Sequence, residues 1–373
     1  MKANKVRTLF ILKDLSIGGV GKVTIDLVRN LDKKIFDVVL FVLEKKGVLI
    51  SDIPNDIQVV FASDLNKYKK HYFMFYLIKL LRYARYSDVI IGAMDHGPTY
   101  FAYMAGILTK KPTVGWVRII LDEFFKEESI SKRVSQFVYP RLTSIACISQ
   151  AAAESVARVA DIKEEQIEVL YNPYDLDLII DRGNEPCPKW YSDINKKPTL
   201  ICVARLANPK GLDFLIKAHE KVLREGIDHN LVICGEGYFR EKLERLVSDL
   251  GVSRSVFMPG HISNPFPLIK NATAFVLSSL HEGFSGVVVE ALALGTPIVS
   301  TDCGGAGEIL CHGEYGIVVK PGDVSSLAEG MNRILLDGDL RKKLSEKGVK
   351  RATYFSLANS VPPWEKLLLQ VAK

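Results

Sequence analysis

The sequence predicts an α/β protein built from two parallel-sheet domains, and three observations carry that expectation. A chain of 373 residues exceeds one ordinary core. Short apolar runs recur along it with helix-length spacers between them, the pattern of parallel strands covered on both faces. Gly-rich loops follow several of those runs, at the strand ends where ligands collect in such sheets. A hydrophobic content of 48% with 25% charged residues fits a globular chain and excludes a disordered one.

The first strand is Val6–Leu12, followed by the loop Ser16-Ile17-Gly18-Gly19-Val20-Gly21-Lys22 and a helix expected over residues 23–31. The loop fails as a Walker phosphate loop, because Ser16 stands at the first Gly and Val23 follows Lys22. It also fails as a GxGxxG fingerprint, because Thr24 stands at the third Gly. A tight turn and a ligand-facing loop both remain open. Further strands are expected at residues 38–43, 59–61, 89–91, 113–117, 144–148 and 168–170. Asp95-His96-Gly97-Pro98-Thr99 follows the fourth strand, where Asp95 is placed to orient His96 for handling a substrate hydroxyl proton. A capping pair at the surface is the alternative. Arg118, ending the next strand after Trp116-Val117, is a candidate partner for an anionic group.

Residues 67–86 stand apart, with six basic residues, no acidic ones and seven aromatics. A helix there is expected to carry Phe73, Leu77, Leu80 and Leu81 to an apolar surface while Lys70, Lys79, Arg82 and Arg85 reach outward. That composition suits an anionic membrane surface. A core helix with a solvated basic face is the competing reading, and a nucleic-acid patch a distant third. A second basic-aromatic stretch holds Phe124, Phe125, Lys126, Lys132, Arg133, Phe137 and Arg141. Residues 1–172 carry 25 Lys+Arg against 19 Asp+Glu, while residues 173–373 carry 24 of each, so the whole net charge of +6 lies in the first half. An anionic partner is expected on that side.

Tyr171-Asn172-Pro173-Tyr174-Asp175 reads as a linker, dividing an N-terminal domain of residues 1–172 from a C-terminal domain of residues 173–353. Asp175-Leu176-Asp177 mimics a metal-binding DxD but follows a linker proline where aspartates start helices, so it reads as structural. The second domain repeats the strand pattern at residues 199–204, 230–234, 255–258, 274–277, 298–300 and 316–319. After its first strand come Arg205 and Lys210-Gly211, two cations where a helix dipole would disfavour them. The organising stretch is Ser278 to Ile309, SSLHEGFSGVVVEALALGTPIVSTDCGGAGEI. It reads as strand end, Gly-rich loop, helix N-terminus, helix, Gly stop and strand. A helix start presents free N–H groups and suits phosphate. Glu282 and Glu290 beside it would repel phosphate, but each accepts hydroxyl protons, a vicinal diol included. A phosphate flanked by sugars meets both demands.

Glu282-Gly283-Phe284, seven intervening residues, Glu290-Ala291-Leu292-Ala293-Leu294-Gly295-Thr296-Pro297 and Gly304-Gly305 together resemble the donor-site signature of retaining glycosyltransferase family 4. The resemblance covers the whole chain, strongly over residues 199–319. It implies the GT-B fold, two Rossmann-like parallel-sheet domains facing a central cleft, with a C-terminal helix near residues 354–373 packing back on the first. It implies that Glu282 contacts the transferred sugar, Glu290 the ribose, and Arg205 and Lys210 the donor diphosphate. Gly283, Phe284, Ser285, Gly286 and Val287 would surround the phosphate. Gly18 and Gly19 would face the donor from the first loop, while His261 and Ile262 would edge the base. The family histidine near Arg118 is replaced here, which removes the basis for carrying its role over. The chain most resembles bacterial enzymes that build surface glycans on a lipid carrier.

The function implied is a hexosyltransferase-type enzyme using a nucleotide-diphosphate sugar, UDP-sugar favoured, with retention and with neither metal nor cofactor. The acceptor expected is a glycan or lipid-linked glycan, and no nucleic acid is expected as partner. Two other classes stay open: a sugar-nucleotide epimerase or hydrolase on the same fold, and a non-catalytic membrane-associated scaffold. The six cysteines form no CxxC pair and several sit in apolar strands, as in a reducing compartment. With no signal peptide and no run of eighteen apolar residues, a cytoplasmic protein peripheral to the inner membrane face is expected.

Overall fold

The structure is a computed structural model and describes residues 5–16, 18–62, 73–125 and 129–373. The chain divides into two compact units, residues 1–174 with 356–373, and residues 175–355. In the first unit the strands are β1 (Val6–Leu12), β2 (Phe36–Val42), β3 (Gln58–Phe61), β4 (Val89–Gly92), β5 (Thr113–Val117), β6 (Ser144–Cys147) and β7 (Ile167–Val169). They form one parallel sheet in the order β3-β2-β1-β4-β5-β6-β7. The second unit holds β8 (Thr199–Val203), β9 (Asn230–Cys234), β10 (Val256–Gly260), β11 (Ala274–Leu277), β12 (Ile298–Thr301) and β13 (Ile317–Val319). Its parallel order is β10-β9-β8-β11-β12-β13. In each sheet the chain reverses direction of travel once, between β1 and β4 and between β8 and β11. Loops diverge at such a point and leave a crevice at the strand C-termini.

The strands form because their residues are apolar on both faces. Leu9, Phe10, Ile11 and Leu12 of β1 are all fully buried, as are Leu231, Val232 and Ile233 of β9. Polar residues cap the helices between them. Ser149 Oγ accepts from Ala152 N, Asp323 Oδ1 from Ser325 N and Ser326 N, and Asp175 Oδ1 from Leu178 N. Asp175 therefore starts the helix Leu176–Gly183. The C-terminal helix Leu357–Val371 belongs to the first unit. There the Trp364 ring lies 4.3 Å from Trp116, and Glu365 accepts from Asp32 N at 2.7 Å. The chain leaves this unit at Tyr174 and re-enters beside it, Leu357 N donating to Tyr174 O at 3.0 Å.

Two sequence expectations change. The helix after β1 begins at Gly19, four residues before the expected start, because Gly18 at its cap and Gly19 and Gly21 in its first turn hide it from a propensity reading. In the basic-aromatic segment, residues 67–72 lie outside the described residues, and the remainder forms the helix Phe73–Ala84. Leu77 and Leu80 are buried in the sheet's core, with Phe73 and Leu81 packed against it, so they form no outer apolar surface. The outward face is instead Met74, Phe75 and Ile78, with Arg82 and Arg85. Lys79 is turned inward to Phe61 O at 2.6 Å. All six cysteines are free, and burial pushes the Cys202 and Cys234 thiols up to about 12.

A buried histidine pair crosses the second core. His229 Nδ1 donates to Ile227 O at 2.9 Å, so its Nε2 accepts from His219 Nδ1 at 2.8 Å. His219 Nε2 accepts in turn from Ser255 Oγ at 2.8 Å. Burial holds both imidazoles neutral, pushing His219 down to about 3 and His229 below its ordinary value. The folded state thus refuses protons that the unfolded chain binds below pH ~6.5. Stability of the second unit is expected to fall as pH drops below that value, by up to about 1.4 kcal/mol per pH unit from His219, with His229 adding to the fall. Thermal unfolding followed from pH 7.5 down to about 5 checks this. The wild type should show the acid slope and a His219→Gln/His229→Gln variant should lose it; equal slopes would refute the assignment.

Candidate functional site

In the second unit the loops after β8, β11 and β12 are tied to one another by main-chain bonds. Leu280 N donates to Pro209 O at 2.8 Å, Glu282 N to Cys303 O at 2.8 Å, and Gly305 N to Glu282 O at 3.0 Å. The approach is close enough to exclude side chains. Gly211 has φ 57°, and a Cβ there would lie 2.2 Å from Ser278 O; one on Gly305 would lie 2.3 Å from Gly283 O. Ser278 Oγ completes the seam by donating to Lys210 O at 2.9 Å.

That seam brings together two residues 72 positions apart. Lys210 Nζ meets Glu282 Oε1 at 2.5 Å, and the same oxygen accepts from Ser279 Oγ at 2.8 Å. The two charged side chains are 24% and 13% exposed, so the pair sits in a recess open to solvent. Arg205, on the loop after β8, is exposed and makes no hydrogen bond or ion pair among the described residues. The turn Gly235-Glu236-Gly237 supports that loop: Leu206 N donates to Glu236 O at 2.9 Å, and Gly235 backs onto Ala204 O.

The helix Gly286–Ala293 starts at Ser285, whose side chain does not cap it. Among the described residues the amides of Gly286 and Val287 find no protein acceptor. They keep the donors and the positive dipole end that an anion needs. Gly283 and Phe284 lie in the preceding loop, and half-buried Glu290 lies one turn into the helix. His261 and Ile262 follow β10, the first exposed and the second half-buried. One loop cluster of the second unit thus offers cations, free amides and carboxylates at the C-terminal strand ends. Ser279 was not assigned a role from sequence; its place three residues before Glu282 was the available signal.

The first-unit candidates lie at the equivalent strand ends. Gly18 and Gly19 are exposed, and a side chain on either would meet no atom within 4 Å. The expected Asp95–His96 pair is not made. Both Asp95 oxygens accept from the Arg118 amide, at 3.2 and 3.1 Å. His96, at φ 60° and ψ −112°, is directed instead to Tyr100 and to the rings of Phe124 and Phe125. Burial raises the Asp95 carboxyl, an effect the Arg118 amide and charge oppose, and burial lowers His96. Arg118 is buried rather than presented to solvent: Nε donates to Ala93 O at 3.1 Å, Nη2 to Thr24 Oγ1 at 2.8 Å, and the guanidinium lies 3.4 Å over Trp116. It thereby fastens β4, β5 and the helix after β1 to one another.

Gly211→Ala is expected to cost about 2 kcal/mol or more, through both the left-handed φ and the contact with Ser278 O. It should also weaken whatever anion Lys210 holds. Gly226→Ala, at φ 87° with nothing within 4 Å, isolates the conformational part. Denaturant unfolding of the two variants decides it: equal losses would show that the Ser278 contact does not matter.

Comparison with known proteins identifies the family. The description Glycosyltransferase Family 4 matches residues 17–178, and Glycosyl transferases group 1 matches residues 189–351. An uncharacterized glycosyltransferase of Methanocaldococcus jannaschii is 30% identical over 287 residues, 68% of this chain and 70% of that protein. The N-acetylgalactosamine-N,N'-diacetylbacillosaminyl-diphospho-undecaprenol 4-alpha-N-acetylgalactosaminyltransferase of Campylobacter jejuni is 29% identical over 270 residues, 69% of this chain and 70% of that protein. The crystal structure of Anabaena HepE in complex with UDP matches 98% of this chain and all of that one, with a TM-score of 0.82 at 19% identity. With two parallel-sheet α/β units, the fold is GT-B. The chain is a transferase and belongs to glycosyltransferase family 4.

Proposed function

We propose that this enzyme transfers a sugar from a UDP-sugar, with retention and without a metal, to a lipid-linked glycan at a membrane surface during surface-glycan assembly. The Lys210–Glu282 contact carries the reading. In the free enzyme each charge neutralises the other. The donor replaces that contact, its diphosphate taking Lys210 and Arg205 and its sugar hydroxyls taking Glu282. Negative charge grows on the diphosphate as the sugar–phosphate bond breaks, so two fixed cations favour the transition state over the ground state and do the work a metal would do. The amides of Gly286 and Val287 assist on the phosphate, Glu290 accepts from the ribose diol, and His261 and Ile262 edge the base.

Glu282 holds hydroxyls rather than attacking carbon. The acceptor oxygen therefore attacks from the side the diphosphate leaves, and the departing phosphate takes the acceptor proton. The new bond keeps the donor's configuration. Asp95, His96 and Arg118 act in this scheme by shaping the loops after β4 and β5, beside Gly18 and Gly19.

A UDP donor is supported by the likeness to a fold described with UDP bound, and a lipid-linked acceptor by the name of the Campylobacter relative. The membrane surface is supported by the outward face of the first unit's helices. Helices Phe73–Ala84, Gly97–Thr109 and Ile130–Val138 lie side by side and expose Met74, Phe75, Ile78 and Ile130 beside basic residues. Among the described residues no helix is long and apolar enough to cross a membrane.

Release of nucleotide from a panel of nucleotide sugars, with and without bacterial lipid extract, tests the proposal. The wild type should release UDP only with lipid, and Glu282→Ala should lose about two to three orders of magnitude in kcat. Release without lipid would transfer the reading to a hydrolase or epimerase. A folded Glu282→Ala with wild-type turnover would refute the role given to Glu282.

A further inference from the structure

A second cationic site lies at the other end of the first-unit sheet, away from the loops just described. β4, β5 and β6 are neighbours, and the segments that enter β5 and β6 are Lys110-Lys111-Pro112 and Arg141-Leu142-Thr143. Between them is a cavity of about 300 Å³ lined by Tyr103, Lys110, Lys111, Arg141 and the β-strand entry residues Thr113 and Thr143, among others. Among the described residues no carboxylate lines it. Thr113 N donates to Thr143 Oγ1 at 3.0 Å and closes the floor.

The cations are built into this place. Lys110, at φ 55°, ends the helix Gly97–Thr109, and its N–H and that of Lys111 both return to Gly106 O. Arg141 is fixed by Nη1 donating to Phe137 O at 2.8 Å and by its guanidinium lying 3.9 Å over the Phe137 ring. Its remaining N–H groups stay available, and the ammonium groups of Lys110 and Lys111 have no partner among the described residues. A helix C-terminus carries about half a negative charge. Three cations around one cavity exceed what it needs, and the surplus calls for an anion.

The rim identifies the kind of anion. Ile107 and Leu108 are each 58% exposed, and Phe137 is 53% exposed. A free phosphate has no use for that apolar edge, whereas a phosphate joined to acyl chains does. Arg85, on the segment entering β4, extends the basic end towards the same side. We propose that the cavity binds the phosphate of an anionic phospholipid headgroup, with Lys110, Lys111 and Arg141 on its oxygens and Ile107 and Leu108 at the acyl boundary. This rests on the membrane-surface reading above and supplies it with a defined ligand. The lipid is a tether and not the acceptor, because five-residue β5 puts about 15 Å between this cavity and Arg118 at the strand's far end.

Co-sedimentation of the full-length protein with phosphatidylcholine vesicles, with and without added phosphatidylglycerol, tests the site. Lys110→Gln/Lys111→Gln/Arg141→Gln should lose roughly a hundredfold in affinity for the anionic vesicles, from about 1 kcal/mol per basic residue. Ile107→Ser/Leu108→Ser should weaken binding to both vesicle types. A control variant, Lys342→Gln/Lys343→Gln/Lys350→Gln on exposed positions of the second unit, should bind as the wild type does. Equal loss in the control would mean diffuse charge attraction, and unchanged binding in the cavity variant would place the contact elsewhere; either overturns the proposal. Calorimetric binding of inorganic phosphate without vesicle binding would overturn the lipid assignment. The assay needs neither donor nor acceptor, and Glu282→Ala should bind vesicles normally, so failure of the transfer reading would be seen separately.

Discussion

The loop seam of the second unit depends on one contact between opposite charges, Lys210 with Glu282. A carboxylate and an ammonium in a recess cost free energy to desolvate, and each is tolerable because the other is there. The contact also needs an accurate frame, since both side chains are long and their loops leave different strands. Ser279 holds the shared oxygen, Ser278 holds the Lys210 carbonyl, and glycines at 211 and 305 let the main chains approach. The pairing leaves the two charges mutually neutralised. In the proposed function a sugar diphosphate exchanges both partners at once, so that recognition of phosphate and of sugar hydroxyls is a single event.

The sheet order explains why these residues can meet. Lys210 follows β8 and Glu282 follows β11, and those strands are adjacent only because the chain turns back at β8 to lay β11 on its open side. The same reversal in the first unit sets the loop after β1 beside those after β4 and β5. There the organising charge is buried. Arg118 spends its donors on Ala93 and Thr24 and its flat face on Trp116, whose other neighbour is Trp364 of the last helix. The segment furthest along the chain is thus packed into the first unit through an aromatic pair.

The first unit distributes its basic residues unevenly. Arg118 at the C-terminal strand ends is spent internally, while Lys110, Lys111 and Arg141 at the opposite end remain available to a ligand. An excess of positive charge in the first half was visible in composition. Its meaning lies in which cations the fold consumes.

The sequence by itself determined the fold class, the thirteen strands and the family, and it singled out the residues proposed for the donor side. Near-continuous apolar runs leave parallel strands little alternative, and Glu282, Gly283, Glu290, Arg205 and Lys210 sit at spacings with a direct chemical meaning. Sequence reading failed where partners are distant along the chain. It aimed Asp95 at His96 because they are adjacent, whereas the backbone at His96 takes a left-handed φ and the Asp95 carboxylate finds the Arg118 amide. It left open whether Leu77 and Leu80 meet a membrane or the core, because a helix with two apolar faces must give one to the sheet, and only packing chooses which. Tertiary structure alone decided that Lys210 meets Glu282, that Arg118 is an internal fastener, and that three basic residues from two strand entries surround one cavity. Each is a contact across many residues, fixed by strand order and loop closure rather than by local preference.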